Sequence, residues 1–366
     1  MAEYTNKNYS IDSIKAVEAK FEAQKIAFAP LTFQAVRALL ETGLLRSIRD
    51  AKGQGLGLDE AAQKAGVSVY GTKVLLEMAL GMNIVKLLEG QDRFILGKIG
   101  WFLLEDEMTR LNFNFVNDVC YKGAFELSRS VEAGKPLGLE VFGTGHKTIY
   151  EALTTLPQQV QESWFAFNHF YSDVGFEEAL PIVFSANPKK IMDIGGNTAK
   201  WALCCCRYDP RVQVLIVDLE GQIAMAKKAI AEAGFSERVE TLACNVLDEE
   251  TSFPSGSDVI WMSQFLDCFS EDEAVRIMGK IRDAARADTD IFILEPLWDK
   301  QHFEAASYSL QAASLYFTCM ANGNSKLYRY GELAHIIEAS GFEIADARHN
   351  LGSNDYSLLR CRAGKP

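Results

Sequence analysis

From about residue 185 to the end, apolar runs of strand length alternate with longer amphipathic stretches. The order is KKIMDI, a helical pattern, VQVLIVD, a second helix, VETLACN, VIWMSQ, a third helix, IFILEP, a long helix, then FEIADARH and YSLLRCR. Alternation at this spacing predicts a mostly parallel sheet with helices on both faces and an antiparallel hairpin at one edge. Ligands of such sheets bind beyond the carboxyl ends of the strands. Toward the amino end the period changes. LDEAAQKAGV (58–67) and VYGTKVLLEMALGMNIV (69–85) carry apolar residues at helical spacing, and VKLLEGQDRFILG (85–97) alternates around a polar turn. Two helices followed by a two-stranded wing make a winged-helix pattern within 27–105. Residues 106–180 read as amphipathic helices with turn signals at GKPLG (134–138), FGTG (142–145) and Leu156-Pro157. The stretch 164–181, WFAFNHFYSDVGFEEALP, is dense in aromatics. Such residues pack as core by default, and Trp164 and Phe167 are also candidates to line a pocket for a flat substrate.

Length and charge narrow this picture. A chain of 366 residues exceeds what one core usually serves. The division expected is a winged-helix domain over 1–105, a helical connector over 106–180 and an α/β domain over 181–366. A net charge of −12 argues against a nucleic-acid partner, since phosphate neutralisation needs a surplus of Lys and Arg. The helix that would read DNA sets Lys73 against Glu77 and offers little else that is basic. The first residues contain no apolar core of signal-peptide length, and no stretch of about 18 apolar residues follows, so a cytoplasmic protein without a membrane span is expected. The eight cysteines never fall in a CxxC spacing, which suits buried thiols in a reducing compartment and predicts no metal site. Cys204, Cys205 and Cys206 are adjacent on a helix and point about 100° apart, so they read as core packing.

The densest chemistry lies in IMDIGGNTAKWALCCCRYDPRVQVLIVDLEG (191–221). Asp193-Ile194-Gly195-Gly196-Asn197 forms a tight turn from strand to helix, where absent β-carbons let backbone approach a ligand. Asp218 ends the next strand, 23 positions after Gly195, where a carboxylate can accept both hydroxyls of a ribose. The dinucleotide fingerprint GxGxxG is broken, because its second glycine is Asn197 and its third is missing, so the turn favours S-adenosylmethionine over NAD.

Over residues 27–361 the chain resembles the class I S-adenosylmethionine-dependent O-methyltransferases of the two-domain type, which include plant phenylpropanoid and bacterial polyketide enzymes. The matching features are the winged helix, RSVEAGKPLGLEVFG (129–143), DIGGN, VDLEGQIAMAKKAI (217–230), DCFSEDEAVRIM (267–278), LEPLWD (294–299) and ASGFEIA (339–345). The resemblance implies a Rossmann-like domain binding S-adenosyl-L-methionine, with S-adenosyl-L-homocysteine as product, and a homodimer built on the amino-terminal domain. It implies a small-molecule aromatic or polyketide-like acceptor, methylated on oxygen. It places Asp193, Gly195, Gly196 and Asn197 around the methionine end of the cofactor, Asp218 and Leu219 at the ribose, Asn245 and Val246 at the adenine, and Ser263 and Gln264 at the distal side. Where the family usually has Gly-Asp this chain has Cys244-Asn245, and an Asn amide can still pair with an amino-purine edge.

A hydroxyl acceptor must lose a proton as it is methylated. In the plant enzymes the base is a His in HDWSD; the corresponding DCFSEDE puts Asp267 there. A bland account competes, since Ser270 and Glu273 form a capping box for the next helix and Asp267 would then be solvated at its mouth. Glu295 matches the first supporting carboxylate, whereas the second falls near Leu327 and is absent. Two carboxylates at one cleft tend to share a proton, which raises one of them into a useful range. His302 is a competing catalytic candidate, although a His at a helix start is usually a surface residue. On the helix that follows, Tyr308, Tyr316, Phe317 and Met320 are candidates for the acceptor pocket, with core packing as the default. Two alternatives stand beside methyl transfer. One is a relative of the aclacinomycin type that keeps the cofactor for hydroxylation or decarboxylation, and the other is a cofactor-sensing winged-helix regulator.

Overall fold

The computed structural model describes residues 9–143 and 145–364; Thr144 of the FGTG turn lies outside the described residues. Two compact units divide the chain, one ending at Asn114 and one running from Phe115 onward.

In the first unit, helices Ala29–Glu41, Leu44–Asp50, Leu58–Ala65 and Val69–Gly81 enclose Leu39, Leu44, Leu45, Ile48 and Leu76, all fully buried. The Val69–Gly81 helix starts where the Ser68 hydroxyl accepts the Gly71 N–H at 3.0 Å. It ends before the apolar pattern does, because Asn83 turns to φ 55° and sends the chain into a strand. Strands β1 (Val85–Leu87) and β2 (Phe94–Leu96) pair antiparallel with Val85 opposite Leu96, which is the expected wing, and Leu56 bridges to Phe94 beside them. Helix Ala16–Ala27 has no buried residue, and Val17 and Ile26 stand 82% and 75% exposed.

The second unit is built on seven strands. These are β3 (Lys190–Ile194), β4 (Gln213–Asp218), β5 (Val239–Ala243), β6 (Val259–Ser263), β7 (Asp290–Glu295), β8 (Phe342–Leu351) and β9 (Tyr356–Ala363), in spatial order β5-β4-β3-β6-β7-β9-β8. β3 to β7 run parallel, and β9 and β8 close the edge antiparallel. The chain winds outward from β3 through β4 and β5, then returns to place β6 on the other side of β3. That reversal opens a crevice between the loops that leave β3 and β6, where ligands of open α/β sheets bind.

Trp201 stacks on Trp261 with ring centroids 3.7 Å apart at 10°, and Phe176 meets both edge-on. Removing a fully buried indole of this kind costs about 3–5 kcal/mol. Cys205 and Cys206 belong to this core, and Cys204 is half-buried at its margin. A separate apolar cluster joins Phe115, Leu139, Ile149, Leu153 and Trp164 to Tyr316 and Met320. Close approach depends on two glycines there: a β-carbon on Gly123 would fall 2.1 Å from Met320 Sδ, and one on Gly138 would fall 2.7 Å from Cys319 Sγ. Leu139, Leu153 and Trp164 of this cluster reach the crevice.

Candidate active site

A cavity of about 610 Å³ occupies the crevice, within the range of small-molecule sites. One end is backbone and loop. Gly195, at φ 78°, lines it, and a β-carbon there would fall 2.3 Å from the Phe265 ring. Gly196 lies beneath, where a β-carbon would meet Asp193 Oδ2 and Ile216 at 2.8 Å. Ala199, which closes the turn, has a φ of 68° and so keeps the left-handed conformation that glycine adopts freely. The turn thus holds this geometry at the cost of local strain.

Asp218 lines the same end. Its Oδ2 accepts the Asn197 N–H at 2.8 Å and its Oδ1 accepts the Leu219 N–H at 2.7 Å, so each oxygen keeps lone-pair capacity toward the cavity. Burial pushes this carboxyl up to about 6, against the lowering effect of those two N–H groups. Asp193 is 2% exposed and outside the lining; burial, then the Asp218 charge, push it up to about 8. Leu219, Asn245 and Val246 also line this end. The Asn245 amide is engaged in its own turn, donating to Asp248 at 2.9 Å and accepting the Leu247 N–H at 3.1 Å. Gln264, at φ 46°, donates to the Tyr356 hydroxyl at 2.5 Å while its Oε1 is buried without a partner. Ser263 lies outside the lining, its Oγ also buried without a partner.

The other end is made of side chains far apart in sequence. Tyr150, Leu153, Trp164, Asn168, Phe265, Cys268, Phe269 and Asn322 form its walls. Trp164 is fixed by its indole N–H, which donates to the Tyr316 hydroxyl at 2.6 Å. Phe167, Tyr316, Phe317 and Met320 stand behind this wall in the apolar cluster, and Tyr308 is 70% exposed outside it. Tyr150, Cys268 and Asn168 escaped the sequence reading. The first two carried a signal, Tyr150 as the polar tip in an apolar helical turn and Cys268 as the neighbour of the base position.

Asp267 and Glu295 come together, both behind the wall. Burial pushes Asp267 up to about 7, and burial and then the Asp267 charge push Glu295 well above the carboxylate range. Ser270 and Glu273 make the expected capping box, with Ser270 N–H to Glu273 Oε2 at 2.9 Å. His302 is elsewhere. Its Nδ1 lies 2.5 Å from Asp355 Oδ1 and its backbone N–H donates to Asp355 Oδ2, which ties it to the β8–β9 hairpin. Among the described residues, no three His, Cys, Asp or Glu side chains group to hold a metal ion.

Comparison with known proteins accords with this architecture. The Dimerisation2-like domain family matches residues 20–94, and the O-methyltransferase domain family matches residues 126–343. The L-tyrosine C(3)-methyltransferase of Streptomyces lavendulae is 21% identical over 87% of this chain and 85% of its own. The 3-hydroxy-5-methyl-1-naphthoate 3-O-methyltransferase of Streptomyces sahachiroi is 24% identical over 73% and 74%. The O-methyltransferase of neocarzinostatin biosynthesis, solved with S-adenosylmethionine and 2-hydroxy-5-methyl naphthoic acid, shares the fold with a TM-score of 0.63 at 18% identity, over 91% of this chain and 96% of that one. These likenesses support neither the non-methylating alternative nor the DNA-binding regulator. With more than half of its length matched by the O-methyltransferase domain, the chain belongs to the S-adenosylmethionine-dependent O-methyltransferase family.

Proposed function

We propose that this protein transfers a methyl group from S-adenosylmethionine to an oxygen of a small aromatic acceptor held in the 610 Å³ cavity. The observation that carries the reading is the cavity's two-ended construction, a glycine turn with a buried carboxylate at one end and aromatic walls at the other. The residues fit the cofactor. Gly195 leaves room for backbone contact with the methionine part, Asp218 has a free lone pair on each oxygen for the ribose hydroxyls, and the unpartnered Asn197 Oδ1 and Gln264 Oε1 supply acceptors for its ammonium. Leu219, Val246 and Asn245 would flank the adenine, the last with one amide proton still available. Asp193 supports the turn from below and Ser263 supports the Gln264 side.

When bound, the cofactor supplies a methyl group on a sulfonium, open to in-line displacement. The chain's part is positioning, which alone supplies much of the acceleration of such reactions. Trp164, held by Tyr316, and Phe269 offer aromatic surface to a planar ring, while Phe167, Phe317 and Met320 back the wall; Tyr308 and His302 take no part in the chemistry. Aromatic walls, and the naphthoate named for two of the similar proteins, favour a phenolic acceptor. The tyrosine C(3)-methyltransferase named for a third makes carbon methylation of a phenol the second reading.

The amino-terminal domain is read as a homodimer interface. Its support is the Dimerisation2-like match and the unburied apolar face of helix Ala16–Ala27. Residues 1–105 would serve dimerisation, 106–180 the acceptor wall and 181–366 the cofactor. No helix among the described residues is long and apolar enough to cross a membrane, and free cysteines suit the reducing cytoplasm. Calorimetric titration with S-adenosylmethionine, S-adenosylhomocysteine and NAD tests the cofactor; micromolar binding of the first two and none of NAD is expected. A screen of phenols and hydroxynaphthoates with product NMR then separates O-methyl from C-methyl products.

A further inference from the structure

A buried acid pair lies behind the acceptor end of the cavity, separated from it by one side chain. Asp267 and Glu295 are 3% and 2% exposed, and neither lines the cavity. Glu295 Oε1 accepts the backbone N–H groups of Phe265 at 3.1 Å and Leu266 at 3.0 Å, while Oε2 has no partner. The groups that face Asp267 are Cys268 beside it, Glu295 at the end of β7, Tyr150 in helix Ile149–Ala152, Tyr316 in helix Glu304–Tyr316 and Tyr328 before helix Tyr330–Ala339. None of these five is basic, so the two carboxyls favour a state that shares one proton, and Asp267 is the member that faces the Cys268 thiol.

Cys268 touches both sides of the wall. It lines the cavity, and its S–H donates to Asp267 Oδ1 at 3.4 Å, with a longer 3.7 Å contact to the Gln264 carbonyl. The Tyr150 hydroxyl stands on the same wall, buried beside the Cys268 thiol and without a hydrogen bond of normal geometry. Burial, and the neighbouring Cys268, keep that hydroxyl protonated far above neutral pH. An unpaired buried donor is costly unless a ligand satisfies it.

We propose that the Cys268 thiol relays the acceptor's proton to Asp267, while the Tyr150 hydroxyl orients the acceptor oxygen by donating to it; the proposal rests on the methyl-transfer reading above. The acceptor O–H breaks toward Cys268 Sγ as the thiol's own proton passes to Asp267 Oδ1. Cys268 ends with one proton as it began, Asp267 gains one, and the electron pair left on the acceptor oxygen makes it the nucleophile. Asp267 then returns its proton to solvent before the next turnover. Cys268 and Tyr150 touch the acceptor, whereas Asp267 acts through Cys268 and Glu295 sets the range in which Asp267 works.

The test compares wild type, Cys268→Ala, Cys268→Ser and Asp267→Asn. Infrared spectra across neutral pH follow the Cys268 S–H stretch and the protonated carboxyl band, and rates are measured with each phenol that the screen finds to be methylated. In the wild type the S–H band shifts as the Asp267 carboxyl band disappears, and the rate rises with the same midpoint. Cys268→Ala lowers the rate about 100-fold and flattens the pH profile, the scale of one general-base contribution. Cys268→Ser, which restores an exchangeable proton, recovers most of that loss, and S-adenosylmethionine affinity by calorimetry stays unchanged in both. Wild-type rate and pH profile in Cys268→Ala, or an S–H band unmoved while Asp267 titrates, overturns the relay. Failure of every phenol with the S–H coupling intact overturns the acceptor reading instead.

Discussion

The two ends of the cavity solve the problem of holding a ligand differently. The cofactor end is assembled from consecutive residues at strand ends, and its shape is backbone shape: positive φ at Gly195, Asn197 and Ala199, with two N–H groups holding Asp218. The acceptor end gathers Tyr150, Trp164, Cys268 and Asn322 from separate segments between residues 150 and 322, and its shape is side-chain shape. A backbone-built site tolerates few substitutions and serves one ligand. A side-chain-built site changes with each wall residue, so one fold can serve many acceptors.

Substitutions sharpen that contrast, and the largest effect is expected at the turn. Gly195→Ala combines a strained positive φ with a collision into Phe265, and should weaken S-adenosylmethionine binding more than about 100-fold in calorimetry. Asp218→Ala removes the carboxylate proposed to accept both ribose hydroxyls and should cost about 3 kcal/mol, or about 100-fold in affinity. Unchanged affinity would displace the ribose from Asp218. Tyr316→Phe leaves the Trp164 indole N–H unpaired and should lower unfolding free energy by about 1–2 kcal/mol in urea titration, while raising the acceptor KM more than the cofactor Kd.

A pH effect separates the ends further. Asp193, Asp218 and Asp267 all have folded-state values raised above those of the unfolded chain, so the folded protein binds more protons across the window from about 4 to about 8. Their joint contribution to stability is therefore present below that window and lost as pH rises through it. The melting temperature of the cofactor-free protein should fall from pH 5 to pH 8, and Asp193→Asn should flatten the upper part of the fall. The smallest effect is expected at Tyr308→Ala, where an exposed side chain is lost and stability should stay within about 0.5 kcal/mol, with kcat unchanged. A loss of activity there would extend the acceptor site beyond the cavity wall.

Much of the cofactor end is legible in the sequence. Strand, glycine turn, helix and a second strand ending in an acid are local patterns, and their hydrophobic period forces the parallel sheet that brings Gly195 and Asp218 together. Asn245 shows the limit of such reading, because its side chain closes its own turn with Asp248 and Leu247. At the acceptor end the sequence pointed to Asp267 and Glu295 as a pair. It did not show that both would sit behind Cys268, since which of two adjacent side chains faces a cavity depends on the short helical turn Leu266–Cys268.

What the sequence determined by itself was whatever repeats locally: the sheet, the wing, the turn and the capping box at Ser270. Periodicity and backbone propensity act within a few residues, so they are written along the chain. Tertiary structure alone decided that Trp164 lines the cavity while Phe167 and Met320 back it, that Tyr308 faces outward, and that His302 is tied to Asp355. Those outcomes depend on packing between segments distant in sequence, where each side chain's place is set by the volume its neighbours leave.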